Sequence, residues 1–143
     1  MKRACVFGLA MVWLVGVVLV NVREGRTAPQ RQKKRAASVH QLMEGFVSVN
    51  CGALKKALDA EKTNWKQVQL RAALLNEAGF ILLEDGRCPD ATWAKAARAL
   101  QTHSVEVIEA AKKQDKDAAL AAFKNLTSNG CATCHKVHRK KHD

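Results

Sequence analysis

The chain has 143 residues, with 24 Lys and Arg against 13 Asp and Glu and a formal charge of +11. That length supports one domain around a single modest core. Only two prolines, against abundant Ala, Leu, Lys and Glu, point to helices. The basic excess suits an acidic partner protein or an anionic surface; no nucleic-acid module and no interleaving of aromatic with basic residues argues for nucleic acid.

Lys2 and Arg3 precede an apolar run from Ala4 to Val20, the pattern of an export signal. Arg26-Thr27-Ala28 lacks a small residue three places before a cut, and the run approaches the length that spans a bilayer. Residues 1–28 are therefore read either as a signal cleaved near Ala28 or as an uncleaved N-terminal membrane anchor. Cys5 lies too early in the run for a lipoprotein cysteine. Setting aside the four cations and one acid of this segment lowers the net charge from +11 to +8. Residues 29–35 read as a basic linker of low expected order, and 36–143 as the folded domain.

A first helix is expected from about Lys33 to Asp59, where Ala36, His40, Met43, Val47, Cys51, Leu54 and Leu58 form one stripe at helical spacing. Leu42, Phe46, Val49 and Ala53 widen it. Thr63 is the expected cap of a second helix to about Glu84, burying Trp65, Val68, Ala72, Leu75, Gly79 and Leu82. Gly86 and Pro89 follow it as stop signals. Asp90 or Thr92 opens a third helix to about Lys113, with Trp93, Ala97, Leu100, Ser104, Val107 and Ala111 inward. A fourth begins near Asp115 or Asp117 and carries Leu120, Phe123, Leu126 and Thr127; Ser128-Asn129-Gly130 could break it. No strand alternation or internal repeat is visible. Four amphipathic helices with short turns predict an all-α, antiparallel four-helix bundle.

Near the C-terminus stands Cys131-Ala132-Thr133-Cys134-His135. Cys-x-x-Cys-His is the attachment signal of c-type haem. Thiols three positions apart lie about one helical turn apart and can each form a thioether with one porphyrin, and the adjoining imidazole of His135 can ligate the iron. One covalent haem c per chain is expected. The competing readings are a redox dithiol, which belongs after a strand in a βαβ pattern, and a zinc site, for which only His138 and His142 offer further ligands. Cys51 and Cys88 remain, and an even remainder in an exported chain makes them a disulfide candidate.

Four helices with a C-terminal haem motif resemble the class II cytochromes c, the cytochrome c′ family. The resemblance covers about residues 35–141 and is most specific over Cys131-Ala-Thr-Cys134-His135-Lys-Val-His138-Arg139. That family commonly has an aromatic residue where His138 stands, followed by an Arg matching Arg139. The Trp93 segment also looks like the family's Trp at the start of the third helix. The chain departs from the pattern in lacking a fitting first-helix Arg and in carrying Cys51 and Cys88.

The resemblance implies a fourth helix that continues through the haem motif, over residues 116–140. It implies Arg139 beside the proximal haem face, unless that residue simply extends the basic tail. It also puts the first helix over the distal face, where Met43 is a candidate sixth ligand. His40 is the alternative ligand or a propionate contact, and an open site covered by Leu42 is the third arrangement. A homodimer is compatible with the likeness.

The expected function is that of a periplasmic monohaem c-type cytochrome in electron transfer, not an enzyme, with an acidic redox partner. The alternative is a cytochrome c′-like protein that binds nitric oxide or carbon monoxide at an open sixth position. His40 and Glu44, at i,i+4, read as a surface contact rather than a catalytic pair. His103 reads as partly buried, and His138 and His142 as part of the solvated basic end.

Overall fold

The computed structural model describes residues 35–139. The expected signal or anchor (1–28), nearly all of the linker, and His142 lie outside them. The described chain is all-α, with four helices and no strand. Among the described residues no helix is long and apolar enough to cross a membrane.

Helix α1 covers residues 39–59 without a break: Val39–Leu42, a π-helical stretch Met43–Ser48, then Val49–Asp59. It starts later than the expected Lys33 because Ser38 forms a capping box. The Ser38 hydroxyl accepts from the Gln41 N–H at 3.2 Å, while the Gln41 side chain accepts from the Ser38 N–H at 2.9 Å, which satisfies two backbone donors at once. The preceding residues are held elsewhere: Arg35 pairs with Asp85 and Glu84, and Arg87 donates to the Ala37 carbonyl at 2.9 Å.

Helix α2 is Trp65–Ile81, capped by Asn64 rather than Thr63, its side chain accepting from the Gln67 N–H. Helix α3 is Ala91–Lys112, capped by Asp90. Asp85 and Gly86 in the intervening loop take positive φ, 54° and 75°. Helix α4 covers residues 116–138: Lys116–Asn125, a second π-helical stretch Leu126–Ala132, and Thr133–His138. Asp115 caps it. Ser128-Asn129-Gly130 therefore widens the helix instead of breaking it.

The two π-helical stretches share a chemical device. A π turn bonds i to i+5, so some carbonyls lose their ordinary amide partner. In α1 the Ser48 hydroxyl donates to the Glu44 carbonyl and the Asn50 amide to the Phe46 carbonyl, both at 2.7 Å. In α4 the Thr127 hydroxyl lies near the Phe123 and Lys124 carbonyls, Ser128 donates to Asn125, and Thr133 to Ser128. Short polar side chains that compete with backbone hydrogen bonding here supply the missing donors.

The core is built from the expected stripes. Leu54, Leu58, Val68, Leu75, Val107 and Leu126 are fully buried, and every inward residue expected of α3 is buried. Val49 and Leu120 are exposed, while Ala119 and Ala122 take the inward side of α4. Between α2 and α3, the Trp93 Nε1–H donates to the Leu82 carbonyl at 2.7 Å and the Asn76 amide to the Gln101 carbonyl at 2.9 Å. Gly79 lies so close to α3 that an added Cβ would sit 2.9 Å from the Ala97 carbonyl oxygen. Buried Asn50 accepts from Arg71 at 3.0 Å, linking α1 to α2, and Lys116 reaches the Ala60 carbonyl at 2.8 Å.

Candidate functional site

A small apolar pocket with a cavity volume of about 40 Å³, partly open to solvent, is lined by Met43 and Val47 of α1, by Leu82, by Trp93, Ala96, Ala97 and Leu100 of α3, and by Gly130, Cys131, Cys134 and His135 of α4. Apart from the two thiols and the imidazole, nothing in this lining carries a titratable group. Both α1 residues belong to the π stretch Met43–Ser48, and Gly130 and Cys131 belong to Leu126–Ala132. Rare π geometry on both walls of one cavity marks it as the functional candidate, because such turns recur at functional sites.

Gly130 stands where α4 meets α3: a Cβ in its place would lie in ordinary van der Waals contact with the Leu100 amide nitrogen and the Ala96 carbonyl oxygen, at 3.4 and 3.5 Å. Trp93 stands on the far side of the motif, and His138 meets it edge to face, with ring centroids 5.3 Å apart. His138 is thus half-buried rather than part of a solvated tail. Its position in α4 is where the resembling family commonly carries an aromatic residue, which was the available signal. His103, also half-buried, contacts Glu106 and Asn129.

Several expected site residues converge and others do not. Cys131, Cys134, His135 and Met43 line the one pocket, with His135 exposed at its edge. His40 does not join them; its side chain points to solvent and pairs with Glu44 at 3.7 Å. Arg139 ends α4, its N–H donating to the His135 carbonyl at 3.3 Å and its side chain exposed.

The expected Cys51–Cys88 bridge is not formed. All four described cysteines carry free thiols. Cys88, in the loop before α3, donates to the Asp90 carbonyl at 3.5 Å, while Cys51 of α1 is half-buried against the core, where its titration is linked to that of Cys131. The two residues point to different neighbours.

That interaction polarises the pair. The hydrogen bond from Cys131 lowers the Cys51 pKa to about 7, against the opposing effect of burial. Cys131 is pushed up strongly by the same hydrogen bond and then by burial. Cys134 is also raised, chiefly by burial and further by the Asp90 charge. Neither cysteine of the Cys-x-x-Cys pair has the depressed pKa that a nucleophilic redox dithiol needs. Among the described residues no group of three or more His, Cys, Asp or Glu is placed to hold a metal ion.

No protein-family model matches this chain, and no curated protein matches it.

Proposed function

We propose that the chain is an exported monohaem c-type cytochrome, built as an antiparallel four-helix bundle, that passes single electrons to a partner protein. The observation that carries this reading is the presence of Cys131, Cys134 and His135 on one helix at the wall of one apolar pocket, with Met43 of α1 in the same lining.

The antiparallel arrangement is supported by the order of contacts. Residues 76, 79 and 82 of the α2 side meet 101, 97 and 93 of α3. Ala60, just past the end of α1, meets Lys116 at the start of α4. In the first pair of helices one number falls as the other rises, and in the second the end of one helix adjoins the start of the other.

The donor set fits haem c. Cys131 and Cys134 would hold the ring through two thioethers, each formed by net addition of S–H across a vinyl group. His135 would ligate the iron, and Met43 offers a thioether from α1. Val47, Leu82, Ala97 and Leu100 exclude water from the ring, as an apolar cofactor pocket should. Bound haem supplies a one-electron centre whose potential rises with burial and with a thioether ligand. Trp93 and His138 brace the turn of α4 that follows the motif. The positive charge of the chain favours a redox partner with an acidic surface.

Two features speak against the dithiol and zinc readings: the all-α setting and the raised pKa values inside the motif. The test is maturation of the full chain with an export-linked haem-ligation system, followed by mass spectrometry under denaturing conditions. The haem mass should persist on the wild type. Its persistence on a Cys131→Ala, Cys134→Ala double variant would overturn the reading.

A further inference from the structure

We propose that Asn50 and Arg71 are positioning residues: they fasten the π turn of α1 to α2 and so hold Met43 and Val47 at the pocket wall. Asn50 stands two residues beyond the turn and is only 4% exposed. Its amide divides its hydrogen bonds between two elements. The Nδ2 group donates to the Phe46 carbonyl, inside the turn, at 2.7 Å, and Oδ1 accepts from Arg71 Nη1 of α2 at 3.0 Å. Phe46 lies three residues after Met43 and one before Val47, the two α1 residues of the lining. Among the described residues, the Asn50–Arg71 contact is the only side-chain hydrogen bond that joins α1 to another helix. The other side-chain bond to the turn, from Ser48 to the Glu44 carbonyl, is exposed and reaches no neighbour.

The chemistry of the pair favours placement over stability. A buried amide and a half-buried guanidinium both cost desolvation, and apolar residues of similar size in their place are often neutral or stabilising. That cost is not fully offset here. Arg71 Nε is buried with no hydrogen-bond partner, and among the described residues no carboxylate pairs with the guanidinium. What the pair adds is direction. A donor and an acceptor on one side chain fix the rotation of the turn relative to α2, as polar groups in an apolar interface do when they set register. The rotation matters because Met43 and Val47 share their lining with Trp93 of α3. A twist of α1 about its axis carries both away from it.

The placement of Met43 stands on this geometry alone; that it thereby serves an iron ligand rests on the proposed function. Asn50→Asp is the sharpest variant, because it keeps the volume and an acceptor for Arg71 but has no N–H for the Phe46 carbonyl. The double variant Asn50→Leu, Arg71→Leu removes the whole link and keeps the interface apolar. The probe is nuclear magnetic resonance of the full chain without haem, isotope-labelled at the methyl groups of its three methionines, with Met43→Leu assigning the signal of interest. In the wild type that signal should be single and displaced from a solvated methionine by the Trp93 ring. In both variants it should shift to the solvated position or split, while circular dichroism and urea unfolding still report a folded helical chain. A folded variant that keeps the wild-type signal would overturn the proposal, as would a wild-type signal already at the solvated position. A lowered urea midpoint with the signal unmoved shows a stabilising role only and rejects it too. Should the double variant not fold, the isosteric one decides alone. Haem-loaded chains separate the two ideas. Loss of the far-red methionine–iron band in Asn50→Asp, at unchanged haem mass, supports the placement, and a band as strong as in the wild type refutes it. Absence of haem from the wild type rejects the cytochrome reading, while the methyl signal still decides the placement.

Discussion

Asp90 Oδ2 lies 3.3 Å from His138 Nε2, so the residue that caps α3 also holds the last turn of α4. The same carboxylate accepts from the Trp93 N–H at 2.9 Å, and Trp93 in turn packs against His138. Three residues thus tie the helix that carries Cys131, Cys134 and His135 to the start of its neighbour.

The carboxyl of Asp90 is held below its ordinary 3.8, first by the Trp93 N–H and then by the charge of His138. A depressed pKa in the folded state means stability that is present above the unfolded value and lost as pH falls through the folded one. Asp90→Asn keeps a capping oxygen but removes the charge. Its Tm should lie below that of the wild type at neutral pH and converge with it as the pH falls below 3.8. A gap that stays constant across that range would show that the charge is not the cause.

Gly79→Ala should destabilise. The added Cβ would sit 2.9 Å from the Ala97 carbonyl oxygen and 2.6 Å from Gln101 Cγ, and relieving the backbone contact requires α2 and α3 to separate. Overpacking of this kind costs about 1–3 kcal/mol. Gly52→Ala is the control, since nothing lies within 4 Å of its Cβ. There the helix should gain about 0.5–1 kcal/mol. Urea unfolding of the two variants should move the midpoint in opposite directions.

Ser104 is fully buried and its hydroxyl has no hydrogen-bond partner. An unpaired buried hydroxyl is a cost, and alanine is the better helix former. Ser104→Ala should therefore raise stability by about 1 kcal/mol. A loss of stability in chemical denaturation would mean that the hydroxyl has a partner after all.

On the proposed haem reading, Met43 of the pocket lining is the candidate distal ligand. The ferric wild type should show a far-red methionine–iron charge-transfer band that Met43→Ala abolishes, while His40→Ala leaves it in place because His40 points to solvent. A high-spin wild type that responds at once to nitric oxide would instead favour the gas-binding alternative.

Helical spacing in the sequence was enough to find the α3 stripe from Trp93 to Ala111, because each of those residues meets a neighbouring helix. It was also enough to flag Asp90 and Asp115 as candidate caps. It failed where spacing was not the governing signal. Ser38 captured the start of α1 through a capping box, although the apolar pattern ran on before it. Gly130 looked like a breaker, but it sits inside a widened turn of a continuous helix. His138 looked solvated among basic residues, and only the fold brings Trp93 to it.

The π stretch in α4 sets the phase of everything after it. Each helical residue advances the side-chain direction by about 100°, and a π turn accommodates one more residue than an α turn. Were Leu126–Ala132 wound with ordinary α geometry at the same length, Thr133–His138 would swing by roughly that angle about the helix axis. Cys134 and His135 would leave the pocket wall, and His138 would leave Trp93, though the core from Ala119 to Leu126 stayed intact. By absorbing one extra residue, the π turn separates a helix that merely packs from one that aims its last turns inward.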